Sequence, residues 1–340
     1  MTPDDLDGWI PSRIRWRDGD PVVEWRWLGE CRFTEPFHSE TLNRALRNPF
    51  ALLFRRETPM EALRVRAGRH PGLTPTGFIF HMSRCGSTLI GQGLSVSSEN
   101  VVISEAPVLD SLLRGGAPSV GKPFIGKPLD PQQRIAWLRW LIAALGQKRT
   151  GQETRYFIKL DCWHVPWLPL LRTAFPDVPW TFLYRDPVEV LASHEALPAL
   201  WRVPGMLSPE LIGMDLVAVR QMDRLEYCAR VLGKVCESAL SFQADRQGKF
   251  VNYTELPEAI WTTIASHFGM QLSPGEIAVM RDKVKFDAKV PGLRFTNDSE
   301  AKRRRASAHA ATLAERWLAP VYRDLERART EQNHPVADRV

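Results

Sequence analysis

The chain has 340 residues, of which 44% are hydrophobic and 25% charged, a globular composition that excludes disordered, collagenous and disulfide-scaffold classes. Its net charge of +6, carried mainly by arginine, suits a polyanionic ligand but does not choose among nucleotide, nucleic acid and sulfated acceptor. Five cysteines with no C-x-x-C spacing suggest neither a disulfide framework nor a zinc site. The acidic start has no apolar signal core, and no run of about 18 apolar residues occurs. A cytoplasmic protein without a membrane partner is therefore expected.

In chain order, residues 12–28 predict a β-hairpin: Ile14 and Trp16 alternate with arginines, Asp18-Gly19 signals the turn, and Val23, Trp25 and Trp27 alternate with Glu24 and Arg26. A short helix is expected over 38–47, stopped by Asn48-Pro49. The Gly- and Pro-rich stretch 66–77 reads as a linker. Beyond it, strands are expected at Phe78–Phe80, Val101–Ile103, Tyr156–Leu160, Trp180–Tyr184 and Phe250–Tyr253. Helices fall between them, including 131–147 behind Pro131 and a long one within 208–243. This alternation predicts an α/β fold, a three-layer sandwich with a central, mainly parallel sheet of the P-loop NTPase-like kind. A small N-terminal hairpin-and-helix extension (1–70) precedes the α/β domain (71–330), and a tail covers 331–340.

The first chemical signal is Phe78-Ile-Phe-His-Met-Ser-Arg-Cys-Gly-Ser-Thr-Leu-Ile90, read as strand, turn and helix start. The turn is built from small residues: Ser83, Cys85, Gly86, Ser87 and Thr88. Backbone N–H groups at a helix start lack partners, and small side chains let an anion reach them. Arg84 adds a formal charge. Against the Walker A pattern, His81 stands for the first glycine and Ser87 for the lysine, which disfavours an ATP loop. The plainer alternative is a strand–helix turn that uses glycine for tightness.

The second signal is Leu183-Tyr-Arg-Asp-Pro-Val-Glu-Val-Leu-Ala-Ser193. Asp186 is a good N-cap, Pro187 fits the first helical position, and Glu189 completes a capping-box-like pair. Arg185 is thereby held at a strand end, with Ser193 about two turns along the helix. The alternative is that Arg185 pairs with a carboxylate and Ser193 packs.

Together these segments resemble the sulfotransferase family. That family carries Lys or Arg, Ser-Gly, Ser or Thr, then Thr for the 5'-phosphosulfate of its donor. A later Arg, Asp or Asn, Pro, x, acidic, Val, x, x, Ser holds the 3'-phosphate. Here these are Arg84-Cys-Gly-Ser-Thr88 and Arg185-Asp-Pro-Val-Glu-Val-Leu-Ala-Ser193, about 100 residues apart. Val251-Asn-Tyr-Thr-Glu-Leu, with the later His267-Phe-Gly269, is also family-like. The resemblance implies 3'-phosphoadenosine-5'-phosphosulfate (PAPS) as sulfuryl donor. Arg84 would serve the bridge and sulfate oxygens, Gly86, Ser87 and Thr88 the 5'-phosphate, and Arg185 and Ser193 the 3'-phosphate. Cys85 departs from the family's usual serine. A thiol at a helix N-terminus beside Arg84 is expected to have a lowered pKa and oxidative sensitivity.

For a catalytic base, the resemblance favours Glu105 after the second strand, where sulfotransferases of the protein-tyrosine branch place a glutamate; a half-desolvated carboxylate there can have a raised pKa. The alternative is a cap on the next helix. His81 is second, with a core role as its alternative, and Asp161 and His164 are third. Lys159, in an apolar strand, needs an anionic partner, which a ligand could supply, or must snorkel to solvent. Lys302–Arg305 is either a cover for the 3'-phosphate or a solvated helix face. No metal-ligand spacing occurs among the eight histidines, so no metal is expected.

Two rival functions remain open: an ATP/magnesium phosphotransferase and a non-catalytic nucleotide- or nucleic-acid-binding module. No nucleic-acid motif supports the latter. The acceptor, a small molecule or peptide, is expected to meet the hairpin, 110–130 and 195–215, with Trp201, Leu112 and Leu113 hinting at apolar walls. A homo-oligomer is left open.

Overall fold

The computed structural model describes residues 6–17, 20–115, 129–207, 209–289, 292–294, 296 and 298–334. Strands β1 (Trp9–Arg17) and β2 (Asp20–Trp27) form the expected hairpin, and its Asp18-Gly19 turn lies outside the described residues. A third strand, β3 (Arg55–Pro59), pairs antiparallel with β2. The hydrophobic pattern misses it because Arg-Arg-Glu-Thr-Pro has no apolar alternation; backbone pairing at a sheet edge is what holds it.

The helix predicted near 38–47 spans His38–Ala45. Asn48-Pro49 does more than stop it: Asn48 caps a second short helix, Pro49–Leu53. The predicted linker is shorter than expected, since the helix Glu61–Arg69 occupies its first residues. Gly68 is tolerated inside that helix, where an added Cβ would meet nothing.

The central sheet comprises β4 (Gly77–His81), β5 (Asn100–Ser104), β6 (Arg155–Lys159), β7 (Trp180–Tyr184) and β8 (Gly248–Asn252). Its order is β5-β6-β4-β7-β8 and every pairing is parallel. All residues of β4, β5 and β7 are buried, as a parallel sheet covered on both faces requires. The long helix expected within 208–243 runs from Arg224 to Leu240. Strand β1 packs on the helices Pro107–Leu113 and Pro131–Leu145, and Trp9 and Trp25 join the same hydrophobic cluster as the sheet.

The strand order locates the ligand crevice. The chain leaves β4 toward β5 on one side of the sheet and leaves β7 toward β8 on the other. Adjacent strands whose connections diverge open a crevice at their carboxyl ends. Both sequence motifs follow these two strands.

Candidate active site

The loop after β4 has an unusual backbone. Ser83 (φ 75°), Arg84 (φ 52°) and Gly86 (φ 89°) all adopt left-handed backbone, costly for the first two residues. Such turns direct consecutive N–H groups into one concavity. Gly86 is the N-cap of the helix Ser87–Ser95 and offers no side chain to its orphan donors. A Cβ there would stand 2.9 Å from both Leu256 and Tyr253, so the close approach requires glycine.

The loop is tied to the second motif. Arg185 N–H donates to Met82 Sδ (3.2 Å), and the Cys85 thiol donates to the Leu183 carbonyl (3.2 Å). Cys85 therefore faces the core and is fully buried. Burial pushes its thiol up to about 11. The expected low-pKa, oxidisable thiolate is corrected: burial outweighs the helix terminus and the neighbouring cation, and the side chain does not face the ligand side.

At the end of β7, Asp186 Oδ1 accepts from Val188 and Glu189 N–H groups, as the N-cap reading predicts. The capping box is not formed. Glu189 instead accepts from Arg185 Nε (2.6 Å) and pairs with Arg303 (2.9 Å). Arg185 Nη2 also donates to Asp298 (2.8 Å) and Ser299 Oγ (3.1 Å), and its guanidinium lies 3.7 Å from the Tyr253 ring centroid. The carboxylate-pairing alternative for Arg185 is thus part of its environment.

The carboxylates divide by surroundings. Glu105, itself at φ 52°, pairs with Lys159 Nζ, and its carboxylate lies 3.4 Å from His81 Nε2. Burial alone would raise its pKa, but Lys159 and His81 hold it well below the ordinary range. The raised pKa expected for Glu105 is therefore corrected: its neighbour is a buried ammonium rather than an apolar wall. Glu105 does not cap the following helix either, whose N-cap is Ala106. Lys159 is fully buried and does not snorkel; its partner is Glu105, and it does not line the cavity. His81 Nδ1 accepts from Ser83 N–H (3.0 Å), and burial lowers the imidazole's pKa, keeping it neutral.

Asp161 behaves oppositely. Burial, opposed by His164 and reinforced by Glu105 and Asp110, pushes it up to about 7. His164 Nε2 meets Asp110 at 3.0 Å, and its Nδ1 lies 3.8 Å from Asp161.

The two motifs share one cavity of about 680 Å³, lined by His81, Ser83, Arg84, Gly86, Ser87 and Thr88 from the first and Arg185 and Ser193 from the second, but not by His164. Glu105 and Asp161 reach it, and Lys289, Asp298, Lys302 and Arg305 close it. The basic tract is split: Lys302 and Arg305 line the cavity, while Arg304 faces solvent. Apolar walls come from Phe37, Trp163, Leu197 and Trp201. Leu112 and Leu113 are core residues, not walls. Most of the 110–130 stretch lies outside the described residues. Phe37, Lys289 and Asp298 escaped the sequence reading because they stand in segments with no motif spacing; only the fold brings them to the crevice.

No family model and no curated protein matches the chain. Solved structures similar to it include a sulfotransferase from Mycobacterium avium, at 18% identity over 77% of this chain and 80% of that one, with a TM-score of 0.44. A sulfotransferase domain from the curacin biosynthetic pathway is 16% identical over 78% of this chain and 99% of its own, with a TM-score of 0.41. A retinol dehydratase solved with androsterone and the inactive cofactor PAP is 17% identical over 75% and 83%, with a TM-score of 0.37.

Proposed function

We propose that this chain is a sulfotransferase that moves a sulfuryl group from PAPS to a hydroxyl or amine of an acceptor. The observation that carries this reading is the convergence of the Ser83–Thr88 turn and of Arg185 and Ser193 on one cavity at the sheet's crevice. A donor with phosphate at both its 5' and 3' positions uses both; ATP has no 3'-phosphate for Arg185.

The chemistry follows from placement. An acceptor oxygen attacks sulfur in line, a new O–S bond forms, and the S–O bond to the 5'-phosphate breaks. The electron pair leaves with the phosphate oxygen. Arg84 and the loop N–H groups stabilise the charge that builds there. The acceptor's proton goes to Asp161, whose pKa near 7 suits a base at neutral pH. Glu105, pinned by Lys159, is a weaker base and supports the loop through His81. The tryptophan and phenylalanine walls favour an acceptor with an aromatic or aliphatic body.

The test uses PAPS labelled in its sulfuryl group, offered with phenols, primary alcohols and amines. Acceptor-dependent label transfer with release of the bisphosphate supports the reading. Transfer from γ-labelled ATP with magnesium, and none from PAPS, replaces it with a phosphotransferase.

A further inference from the structure

The segment Arg47-Asn-Pro-Phe-Ala-Leu-Leu-Phe-Arg55 stands apart from the cavity and has no role in the proposed reaction. Four of its large apolar side chains face solvent: Phe50 is 40% exposed, Leu52 53%, Leu53 73% and Phe54 54%. Isolated exposed apolar residues need no explanation, but four within five positions form a patch. It is held in place rather than loose. Asn48 Oδ1 accepts from Phe50 N–H (2.9 Å), Ala51 is buried beneath it, and Phe50 packs edge-on against Trp9 and Trp27 at centroid distances of 5.9 and 5.2 Å.

The charge around this tip is of one sign. Arg47 and Arg55 flank it and are exposed. Arg55 sits directly across from Arg26 in the β2–β3 register, a like-charge pair that costs stability. Arg26 Nη1 is buried with no hydrogen-bond partner among the described residues. Outside the tip, Glu24 offsets part of the Arg26 charge but is paired with Arg15, and Glu57 is paired with Arg17. An anionic partner would relieve the Arg26–Arg55 repulsion. A second copy of this chain on a two-fold axis would bring the same arginines against each other. A bilayer surface with anionic headgroups meets both needs, taking apolar side chains below the headgroups and arginines among them.

We propose that the Arg47–Arg55 tip is a peripheral docking element for an anionic membrane surface, inserting Phe50, Leu52, Leu53 and Phe54 at the headgroup boundary. No helix among the described residues is long and apolar enough to cross a membrane, so the contact is interfacial.

The test is vesicle co-flotation of the full chain at physiological salt. Vesicles of phosphatidylcholine with about 30% phosphatidylserine are compared with pure phosphatidylcholine. The wild type is expected to float with the anionic vesicles only. Leu53→Ser with Phe54→Ser, and separately Arg47→Glu with Arg55→Glu, should each lower the bound fraction roughly tenfold. The altered side chains face solvent, and an unchanged thermal midpoint verifies folding. Wild type that stays unbound overturns the proposal. Binding that survives the serine changes overturns it too, because the general basic charge would then suffice. A concentration-dependent dimer abolished by Leu53→Ser would assign the patch to a second copy instead.

Discussion

The Asp298 carboxylate lies 2.8 Å from Nη2 of Arg185 and 2.8 Å from Nζ of Lys302, inside the cavity assigned to the donor. Two cations that would hold a phosphate hold a carboxylate instead. A ligand phosphate must share or displace that carboxylate, and the apparent affinity falls with the fraction of molecules in which Asp298 is seated. Replacing Asp298 with alanine is therefore expected to tighten binding of 3'-phosphoadenosine-5'-phosphate roughly three- to tenfold by titration calorimetry. Weaker binding would show that Asp298 organises the site rather than competing for it.

The Glu105–Lys159 pair gives a stability prediction. Glu105→Gln leaves the fully buried Lys159 ammonium without its counter-ion, a loss of about 3–5 kcal/mol in urea unfolding at pH 7. Adding Lys159→Met should recover most of it, because the unpaired charge is gone. Glu105 has a folded pKa below its unfolded value, so its contribution is full above the unfolded pKa and is lost as pH falls from there through the folded pKa. Wild type and the Glu105→Gln variant should thus converge in acid, while the double variant keeps its stability. Additive losses in the double variant would contradict the pairing.

Asp161 titrates the other way. Its folded pKa, about 7, lies above the unfolded value, so between the two the folded state binds more protons. Wild-type stability should fall as pH rises across that window, while Asp161→Asn should not show the decline. In the transfer assay the wild-type rate should climb through about pH 7, and Asp161→Asn should cost about 10²–10⁴-fold. If the asparagine variant keeps the wild-type rate and profile, the base lies elsewhere and Glu105 becomes the next variant to assay.

Cys85 should be inert. With its thiol pushed up to about 11 and fully buried, it should resist iodoacetamide in the folded protein, whereas the half-buried Cys31 should react. Peptide mapping after alkylation at neutral pH decides this. Cys85→Ser keeps a donor for the Leu183 carbonyl and should change stability by about 1 kcal/mol or less.

The strand–turn–helix form of both motifs was legible in the sequence because each is local. Gly86 marks a backbone that only glycine tolerates so close to Tyr253, and Asp186-Pro187 announces a helix start that places Arg185. The strands of the sheet were legible for a similar reason: short apolar runs between helices leave little else to form. What could not be read was any property set by distant neighbours. Glu105 and Asp161 both follow apolar strands, yet one is paired with Lys159 while burial of the other outweighs its neighbour His164, and their pKa values move in opposite directions. Glu189 at a capping position is captured by Arg185, four residues before it, and by Arg303, which no local spacing reveals. Asp298 and Lys289 reach the cavity only through the path of the late chain.

On the proposed reading, Arg185 and Ser193 form a 3'-phosphate site beside the Ser83–Thr88 loop. The most direct measurement is calorimetric binding of 3'-phosphoadenosine-5'-phosphate, with AMP and magnesium-ATP as comparisons. Wild type is compared with Ser193→Ala and with the pair Arg185→Ala and Glu189→Gln, which avoids leaving Glu189 buried and unmatched. Wild type should bind the bisphosphate at least tenfold more tightly than AMP, a margin of about 1.4 kcal/mol, and the arginine variant should lose this preference. Equal affinity for the bisphosphate and AMP, or a preference for magnesium-ATP that survives the loss of Arg185, would contradict it.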